Sequence, residues 1–306
     1  MLEVSYPPLD DIQLYVPRTD GSVEERRTGD RMPFGSREVL YRNYLFQRSD
    51  APGLTEYFVR VRTTGSLSVP MRAWSAQRFL EHLSVEDPLL WIFYGLMLVM
   101  AVYNLFIYAS VRDVAYLYYV CYIVSYIGLQ FSLNGFAFEY LWPNQVWWNS
   151  RSLLVFLFLG FGFASLFERQ FLRLWEHFPR LDRLILFMGQ AGFVLSVSAF
   201  VLPYSIAIRI LVVWGVLGVG AAFVTCACTT WYRSRPALFY TASWVVLLAG
   251  ILMYLLRTLG LIGDSFLSVW GPQLRSGDRS DAALARLGGP HQCHARQPAA
   301  AQHTFD

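Results

Sequence analysis

The strongest constraint in this sequence is a long apolar run, from Leu89 to Asn134, whose only charged residues are Arg112 and Asp113. A bilayer core of about 30 Å is crossed by about 20 residues of helix, so this run is far too long for one crossing. An Arg at the centre of a single buried helix would also cost several kcal/mol. The run therefore predicts two membrane-spanning helices with Arg112 and Asp113 in the turn between them.

Other apolar segments extend this pattern along the chain. Of the 306 residues, 55% are hydrophobic and only 15% are charged, whereas a soluble domain has about 25% charged residues. By the same length criterion, the sequence predicts six spans, at 89–110, 114–134, 150–167, 184–203, 206–230 and 237–256. The fold class predicted is a polytopic α-helical membrane protein.

The Arg residues predict the orientation of these spans. The first, third and fifth loops hold most of the loop charge: Arg112, Arg169, Arg173, Arg180, Arg183, Arg233 and Arg235. The other loops hold only Arg residues close to span ends: Arg151, Arg209 and Arg257. Because basic loops stay in the cytoplasm, the odd loops are predicted inside and residues 1–88 outside. This topology explains the net charge of +3, and nucleic-acid binding is not indicated.

Residues 1–80 predict a small antiparallel β domain. Apolar and polar residues nearly alternate at 12–16, 39–47, 55–63 and 66–74, with turn-forming residues between these segments. So few strands leave edges unpaired and bury little surface, which indicates a partial β-sandwich. We expect a linker at 81–88, a helical bundle at 89–262 and a polar tail at 263–306. The first residues lack the basic and apolar segments of a signal peptide, so we expect that the start of the domain is missing.

Several segments, in order, resemble one family. "TGDRMPFGSR" (28–37) and "YFVRVRTTGSLSVPMRAW" (57–74) are similar to the second half of the extracellular jelly-roll domain of the bacterial seven-transmembrane receptors with diverse intracellular signalling modules. "GLMLVMAVYNLFIYASVRDVAYLYYVCY" (95–122), "YLWP" (140–143), "FLRLWEHFPRLDR" (171–183) and "RSRPALFY" (233–240) resemble its membrane region.

This resemblance covers residues 2–274 and carries several expectations. It implies a jelly-roll-like domain outside the bacterial inner membrane, of which the second half is present, followed by a seven-helix bundle. It also implies a sensor of carbohydrate-like or other small ligands, with a cytoplasmic histidine kinase or diguanylate cyclase as output module. We expect this module to be absent from the chain, so that the chain itself is not an enzyme.

The tail departs from the family pattern. Residues 275–306 are polar and contain no apolar run long enough for a seventh helix. Residues 277–296 can be encoded by codons that give an apolar segment when they are translated from one base later. We therefore interpret the tail as the product of a frameshift. A genuine disordered tail is the alternative.

No cofactor, metal or catalytic residue is predicted. The tail's His and Cys residues lack the paired spacing of a zinc site. No His lies in a span, as a serine-type intramembrane protease requires, and Asp264 has no partner carboxylate for an aspartyl type. Cys226 and Cys228 fall on different faces of the fifth span, which favours packing. A transporter would carry ionisable groups at mid-membrane, so that class is not favoured.

Candidate ligand contacts lie in the outer domain. Aromatic rings stack on sugars and guanidinium groups bind anions, which points to Tyr41, Arg60 and Trp74, although packing is the alternative for each. In the first span, Asn104 predicts a helix–helix hydrogen bond, with a ligand or signalling contact as the alternative. Six glycines in the predicted spans either allow helices to approach closely or only reflect the high glycine content of membrane helices: Gly95, Gly160, Gly162, Gly215, Gly218 and Gly220.

The partners expected are membrane lipid, a small extracytoplasmic ligand, and either a second copy of the chain in a homodimer or an output-module protein. The alternative function is that of a membrane-embedded accessory protein that modulates another receptor.

Reporter fusions test the predicted orientation. A periplasmic phosphatase fused after Pro143 in the second loop should be active, and one fused after Phe178 in the third loop should be inactive, because Arg-rich loops are retained in the cytoplasm. A cytoplasm-active fluorescent reporter should give the opposite pattern. An active phosphatase after Phe178 would contradict the orientation.

Overall fold

The structure, a computed structural model, describes residues 1–17, 22–47, 57–65 and 67–231. The span predicted at 237–256 and the tail at 263–306 lie outside these residues.

The N-terminal domain consists of two three-stranded antiparallel sheets. The strands are β1 (Leu2–Val4), β2 (Asp11–Pro17), β3 (Val23–Thr28), β4 (Tyr44–Phe46), β5 (Phe58–Arg62) and β6 (Met71–Ala73). Their order is β4-β1-β6 in one sheet and β3-β2-β5 in the other. The antiparallel β domain predicted from the sequence is therefore confirmed.

Individual strands differ from the predicted segments. Each of the four segments contains a strand, but 39–47 is extended only at β4. The sequence analysis missed β1 and β3, and β3 (VEERRT) has too many charges to read as a strand. It forms because it pairs with β2 along its whole length, from Ile12 opposite Thr28 to Pro17 opposite Val23.

The core of the domain lies between the two sheets. Alternate residues of β2 (Ile12, Leu14 and Val16) are buried, as expected for a strand with one face inward. They pack in one cluster with Val4 of β1 and Tyr44 of β4 from the other sheet. Full burial of such a side chain contributes about 1.5–3 kcal/mol, so this shared core holds the two sheets together.

Within the described residues, five helices are long and apolar enough to cross a membrane. The helices are α1 (Ala76–Val111), α2 (Val114–Leu133), α3 (Val146–Phe171), α4 (Leu174–His177), α5 (Pro179–Ser198) and α6 (Tyr204–Trp231), and the short α4 is not one of the five. A π-helical turn, Ala137–Leu141, lies between α2 and α3. The polytopic helical architecture is confirmed for the first five predicted spans.

Helix α1 begins earlier than the sequence analysis predicted. Residues 81–88, which were expected to form a linker, are helical. The helix starts after Ser75, whose hydroxyl accepts a hydrogen bond from the Arg78 amide and caps the first turn. Pro88 removes one backbone hydrogen bond without ending the helix. The β domain is therefore joined to the first span by continuous helix.

The turn between the first two spans lies where the charges predicted it. Arg112 ends α1 in the left-handed conformation, with φ 63°, and its amide donates to the Tyr108 carbonyl. The Asp113 carboxylate accepts a hydrogen bond from the Ala115 amide (2.9 Å) and caps the start of α2. The two polar residues thus satisfy backbone groups at helix ends.

Close packing of α3 and α5 depends on glycine. A Cβ added to Gly192 would lie 3.2 Å from the Gly162 Cα and from the Phe158 carbonyl oxygen, both backbone atoms of α3. Of the glycines singled out in the sequence, Gly162 takes part in this contact, whereas a Cβ on Gly95 would meet nothing within 4 Å among the described residues. Small residues let the two backbones approach, as is typical of membrane helices.

The β domain packs against one end of the helices. The Phe34 amide donates to the Pro143 carbonyl (2.9 Å), and Gly135 lies against Arg42 and Pro7. Pro143 and Gly135 both belong to the connection between α2 and α3. Because Arg112 lies one crossing away, the domain and the first loop are at opposite ends of the bundle, in agreement with the Arg distribution.

Replacing Gly192 with Leu should destabilise the bundle. The added side chain would overlap the backbone of α3, with a cost of about 3 kcal/mol. Thermal unfolding in detergent should show a clearly lower midpoint for Gly192→Leu. The matched control, Gly95→Leu, places the same side chain on an exposed position of α1 and should unfold like the parent chain. Equal midpoints for the two variants would contradict the proposed packing.

Candidate functional site

The exposed face of the β3-β2-β5 sheet groups aromatic and charged side chains. Residues opposite one another in a sheet point to the same side. Arg27 and Arg60 both lie opposite Gln13, and the neighbouring row contains Tyr15 opposite Glu25 and Phe58. We call the following six residues the outer sheet face: Gln13, Tyr15, Glu25, Arg27, Phe58 and Arg60.

The outer sheet face has the chemistry of a surface that binds a polar ring. The Phe58 side chain is 63% exposed, and it lies beside Tyr15 across the strand pair. Arg60 is exposed on the edge strand β5, while Arg27 is held by Asp11 through contacts of 2.6 and 3.1 Å. Aromatic faces and guanidinium donors side by side suit stacking on one face of a ligand and hydrogen bonding to its polar groups.

The structure separates Arg60 from the other two predicted ligand contacts. Tyr41 is only 9% exposed and packs edge-to-face on Phe79 of α1, with ring centres 5.5 Å apart. Trp74 stacks on His82 of α1 at 4.8 Å, and its indole nitrogen donates to the Glu3 carboxylate. Tyr41 and Trp74 therefore share one cluster that joins the β domain to α1, and Arg60 lies on the opposite sheet.

A buried ion cluster ties the same two parts of the molecule together. Arg42 is 3% exposed, and its Nη2 lies 3.2 Å from a carboxylate oxygen of Glu86 and of Asp87 on α1. The guanidinium also lies over the Phe136 ring, 5.1 Å from its centre. Burial opposes the charge, but the two carboxylates outweigh it and raise the pKa of Arg42. Removing one partner of such a buried pair costs about 3–5 kcal/mol.

A second buried Arg was also missed by the sequence analysis. Arg37 Nη1 donates to the carbonyls of Tyr41 and Arg42, at 2.7 and 2.9 Å. Its guanidinium lies between the rings of Phe34 and Tyr44, 4.5 Å from each centre. The available signal was local: Arg37 and Arg42 flank the apolar residues 39–41, and the acidic pair Glu86 and Asp87 lies just before the predicted first span.

A cavity of about 480 Å³ lies between the β domain and the outer ends of the helices. We call it the junction cavity, and its polar lining includes Asp10, Asp30, Arg31, Arg37, Thr64, Asn149, Ser150, Arg151 and Tyr204. Asp30 is 6% exposed. Burial, with the nearby charge of Asp10, outweighs Arg31 and Arg37 and raises the pKa of Asp30 to about 7. The cavity therefore contains a carboxyl group that titrates near neutral pH.

Asn104 lies inside α1, where the sequence placed it, and its amide bonds within that helix. Its Nδ2 donates to the Met100 carbonyl of its own helix (2.8 Å), and the side chain lines a cavity of about 570 Å³ near Asp113. Other side chains make hydrogen bonds between helical segments; for example, Asn134 Nδ2 donates to the Tyr94 hydroxyl of α1 (2.8 Å) and the Ser196 hydroxyl of α5 donates to the Val155 carbonyl of α3 (3.3 Å). Within the described ranges, no group of three or more His, Cys, Asp or Glu residues is arranged to hold a metal ion.

Comparison with known proteins divides the chain into the same two parts. A family model described as 7TM diverse intracellular signalling matches residues 86–277, which is more than half of the chain. A model described as 7TMR-DISM extracellular 2 matches residues 1–75, the region of the two sheets. No curated protein and no solved structure matches the chain.

Replacing Asp30 with Asn should stabilise the protein more at pH 8 than at pH 5. The folded state holds the Asp30 proton up to about pH 7, whereas an unfolded Asp releases it near pH 4. Stability is therefore highest at low pH and is lost as the pH rises through 7, so the gain from Asn should be on the order of 2 kcal/mol larger at pH 8.

Thermal unfolding in detergent at the two pH values measures this difference. The control is Glu81→Gln, an exposed substitution on α1. A gain for Asp30→Asn that is the same at pH 5 and pH 8 would show that the carboxyl does not titrate as stated.

Proposed function

The chain belongs to the family of seven-transmembrane receptors with diverse intracellular signalling, and from this premise we propose that it senses a small carbohydrate-like ligand outside the bacterial inner membrane. It is a multi-pass membrane protein with an extracellular N-terminal domain, and both matched regions are receptor-type domains. In this proposal, the outer sheet face binds the ligand and the helices relay binding to an intracellular output module.

The outer sheet face supports the ligand class. Tyr15 and Phe58 offer adjacent rings, and Arg60 and Gln13 offer donors on the next row. A sugar ring presents an apolar face for stacking and hydroxyl groups around its edge for hydrogen bonds, so the two rows match its two kinds of surface. Tyr41 and Trp74 have the packing role here, and Arg60 is the predicted contact that remains in the proposed site.

The observation that carries the proposal is the rigid connection between the β domain and the cytoplasmic turn. Helix α1 is unbroken from Ala76, beside Trp74, to Val111 at the opposite end of the bundle. Arg42 fixes the domain to α1 through Glu86 and Asp87. A displacement of the β domain therefore displaces α1 as well.

Such a connection can transmit a signal only if the ligand binds two arrangements with different affinity. Sliding α1 past the β domain would separate Arg42 from its carboxylates and leave charges buried without partners. The two parts are thus expected to move together, and the change appears at the turn formed by Arg112 and Asp113. This turn faces the side on which an output module would lie.

Ligand binding and its transmission can be separated by two variants of the full chain in nanodiscs. Cellobiose, maltose and chitobiose serve as probes for calorimetric binding, and hydrogen–deuterium exchange reports on residues 108–116. We expect at least one sugar to bind and to slow exchange at this turn. Phe58→Ala should weaken binding at least tenfold, since stacking is lost. Arg42→Gln should keep the binding and lose the exchange response.

The matched control is Arg78→Gln, an exposed Arg on α1 that should retain both responses. Because Arg42→Gln removes the cation from the half-buried carboxylates of Glu86 and Asp87, a second version combines Arg42→Gln with Glu86→Gln and Asp87→Asn and so removes all three charges together. Unchanged sugar affinity in Phe58→Ala would exclude the outer sheet face as the site. An exchange response that persists in Arg42→Gln would exclude the proposed transmission. If the chain instead changed the output of another receptor without any sugar present, the alternative function, an accessory protein, would be favoured.

A further inference from the structure

The junction cavity contains buried polar groups that the fold itself leaves unsatisfied. Arg37 and Asp30 are 7% and 6% exposed, and among the described residues Arg37 Nε and Asp30 Oδ1 have no hydrogen-bond partner. Buried polar groups are nearly always hydrogen-bonded in folded proteins. Both residues line the cavity, so the missing partners have to come from what it contains.

These groups cannot turn away to find partners elsewhere. The two rings on either side of Arg37 and its bonds to the carbonyls of Tyr41 and Arg42 hold the guanidinium in place. The backbone of Asp30 is held by its amide, which donates to the Leu9 carbonyl (2.8 Å), and its side chain is buried. The cavity therefore presents a fixed donor and a buried acceptor.

The charged side chains of the cavity leave a positive excess. Arg31 and Asp10 form an ion pair at 2.8 Å and balance each other. Among the residues that line the cavity, Arg37 and Arg151 then face one carboxyl, that of Asp30. The Glu139 carboxylate, outside this lining, also acts on Arg37, so Arg151 is the lining cation that lacks an acidic partner there. The Arg151 guanidinium lies over the Trp147 ring at 4.7 Å, and its buried Nε has no hydrogen-bond partner among the described residues. An anionic ligand would restore neutrality.

The start of α3 adds to this positive potential. Val146 and Trp147, in the first turn of this 26-residue helix, line the cavity. The capping residue, Gln145, makes no side-chain hydrogen bond to the turn. Free amides and the positive end of the helix dipole favour an anion at such a position.

From these features we propose that the junction cavity is a second binding site, separate from the outer sheet face, for a small soluble carboxylate that also carries hydroxyl groups, such as a sugar acid. The carboxylate lies towards Arg151 and the start of α3, and a hydroxyl group accepts from Arg37 Nε and donates to Asp30. The volume of about 480 Å³ is within the range of small-molecule sites. When Asp30 is ionised, a single negative charge on the ligand matches the excess of the lining residues.

A ligand in this position would touch both parts of the receptor at once. Asp10, Asp30 and Thr64 belong to the β domain, and Arg151 and Tyr204 belong to α3 and α6. Binding there would favour the arrangement in which the β domain rests on the helix ends. The site thus offers a means of adjusting the response to a ligand on the outer sheet face.

The test compares D-glucuronate with D-glucose, which has the same ring without the carboxylate. Calorimetry uses the full chain in phosphatidylcholine nanodiscs, which contain no anionic lipid. We expect glucuronate to bind at least tenfold more tightly than glucose, and Arg151→Gln to weaken glucuronate binding at least tenfold. Arg151→Lys, which keeps the charge, should recover part of the affinity and also shows whether the position tolerates substitution.

Further arms separate this proposal from its alternatives. The control Arg78→Gln should bind glucuronate like the parent chain. Phe58→Ala should also retain glucuronate binding, so a failure of the sugar site on the outer sheet face leaves this result intact. Equal affinity for glucose and glucuronate, or no effect of Arg151→Gln, would overturn the proposal. Tighter binding of inorganic phosphate, or loss of glucuronate binding in phosphatidylglycerol nanodiscs, would assign the cavity to phosphate or to a lipid headgroup instead.

Discussion

The architecture depends on the need to satisfy backbone hydrogen bonds inside lipid, where no water is available. Helices meet this need within their own chain, so the apolar segments cross as helices, and polar residues are placed where helices end. Arg112 and Asp113 illustrate the rule, because each satisfies a backbone group at the turn between α1 and α2. The hydrophobic effect does not attract helices to one another in lipid. Inside the bundle, Gly162 and Gly192 let α3 and α5 approach closely, and van der Waals contact between the two helices holds them together.

The β domain meets the bundle through a different kind of contact. Here ionised groups are buried just outside the membrane, and Arg42 with Glu86 and Asp87 is the central example. A buried ion pair contributes little net stability, but it is costly to separate, so it fixes one arrangement against others. This property fits the proposed transmission, in which the domain and α1 move as one unit. The unsatisfied groups of Arg37 and Asp30 in the adjacent cavity are the basis for the second ligand site that we propose at the same boundary.

Much of this could be predicted from local sequence patterns. The Arg112–Asp113 turn followed from hydropathy and helix length, and the side on which the β domain lies followed from the Arg distribution. Prediction failed where pairing or packing decided the outcome. Strand β3 is charged and forms only because β2 provides its partner, and residues 81–88 continue α1 instead of forming a linker. Asn104 bonds to its own helix, since the nearest carbonyl is there.

The sequence by itself determined the class of the protein, because the length and hydrophobicity of a segment decide whether it can cross a bilayer regardless of its neighbours. It also carried the family resemblance, as ordered motifs in a single chain. Only the tertiary structure decided which polar residues converge. It placed Tyr41 and Trp74 against α1 and left Arg60 on the outer sheet face. The physical reason is that convergence depends on contacts between residues far apart in the chain, and no local pattern records these contacts.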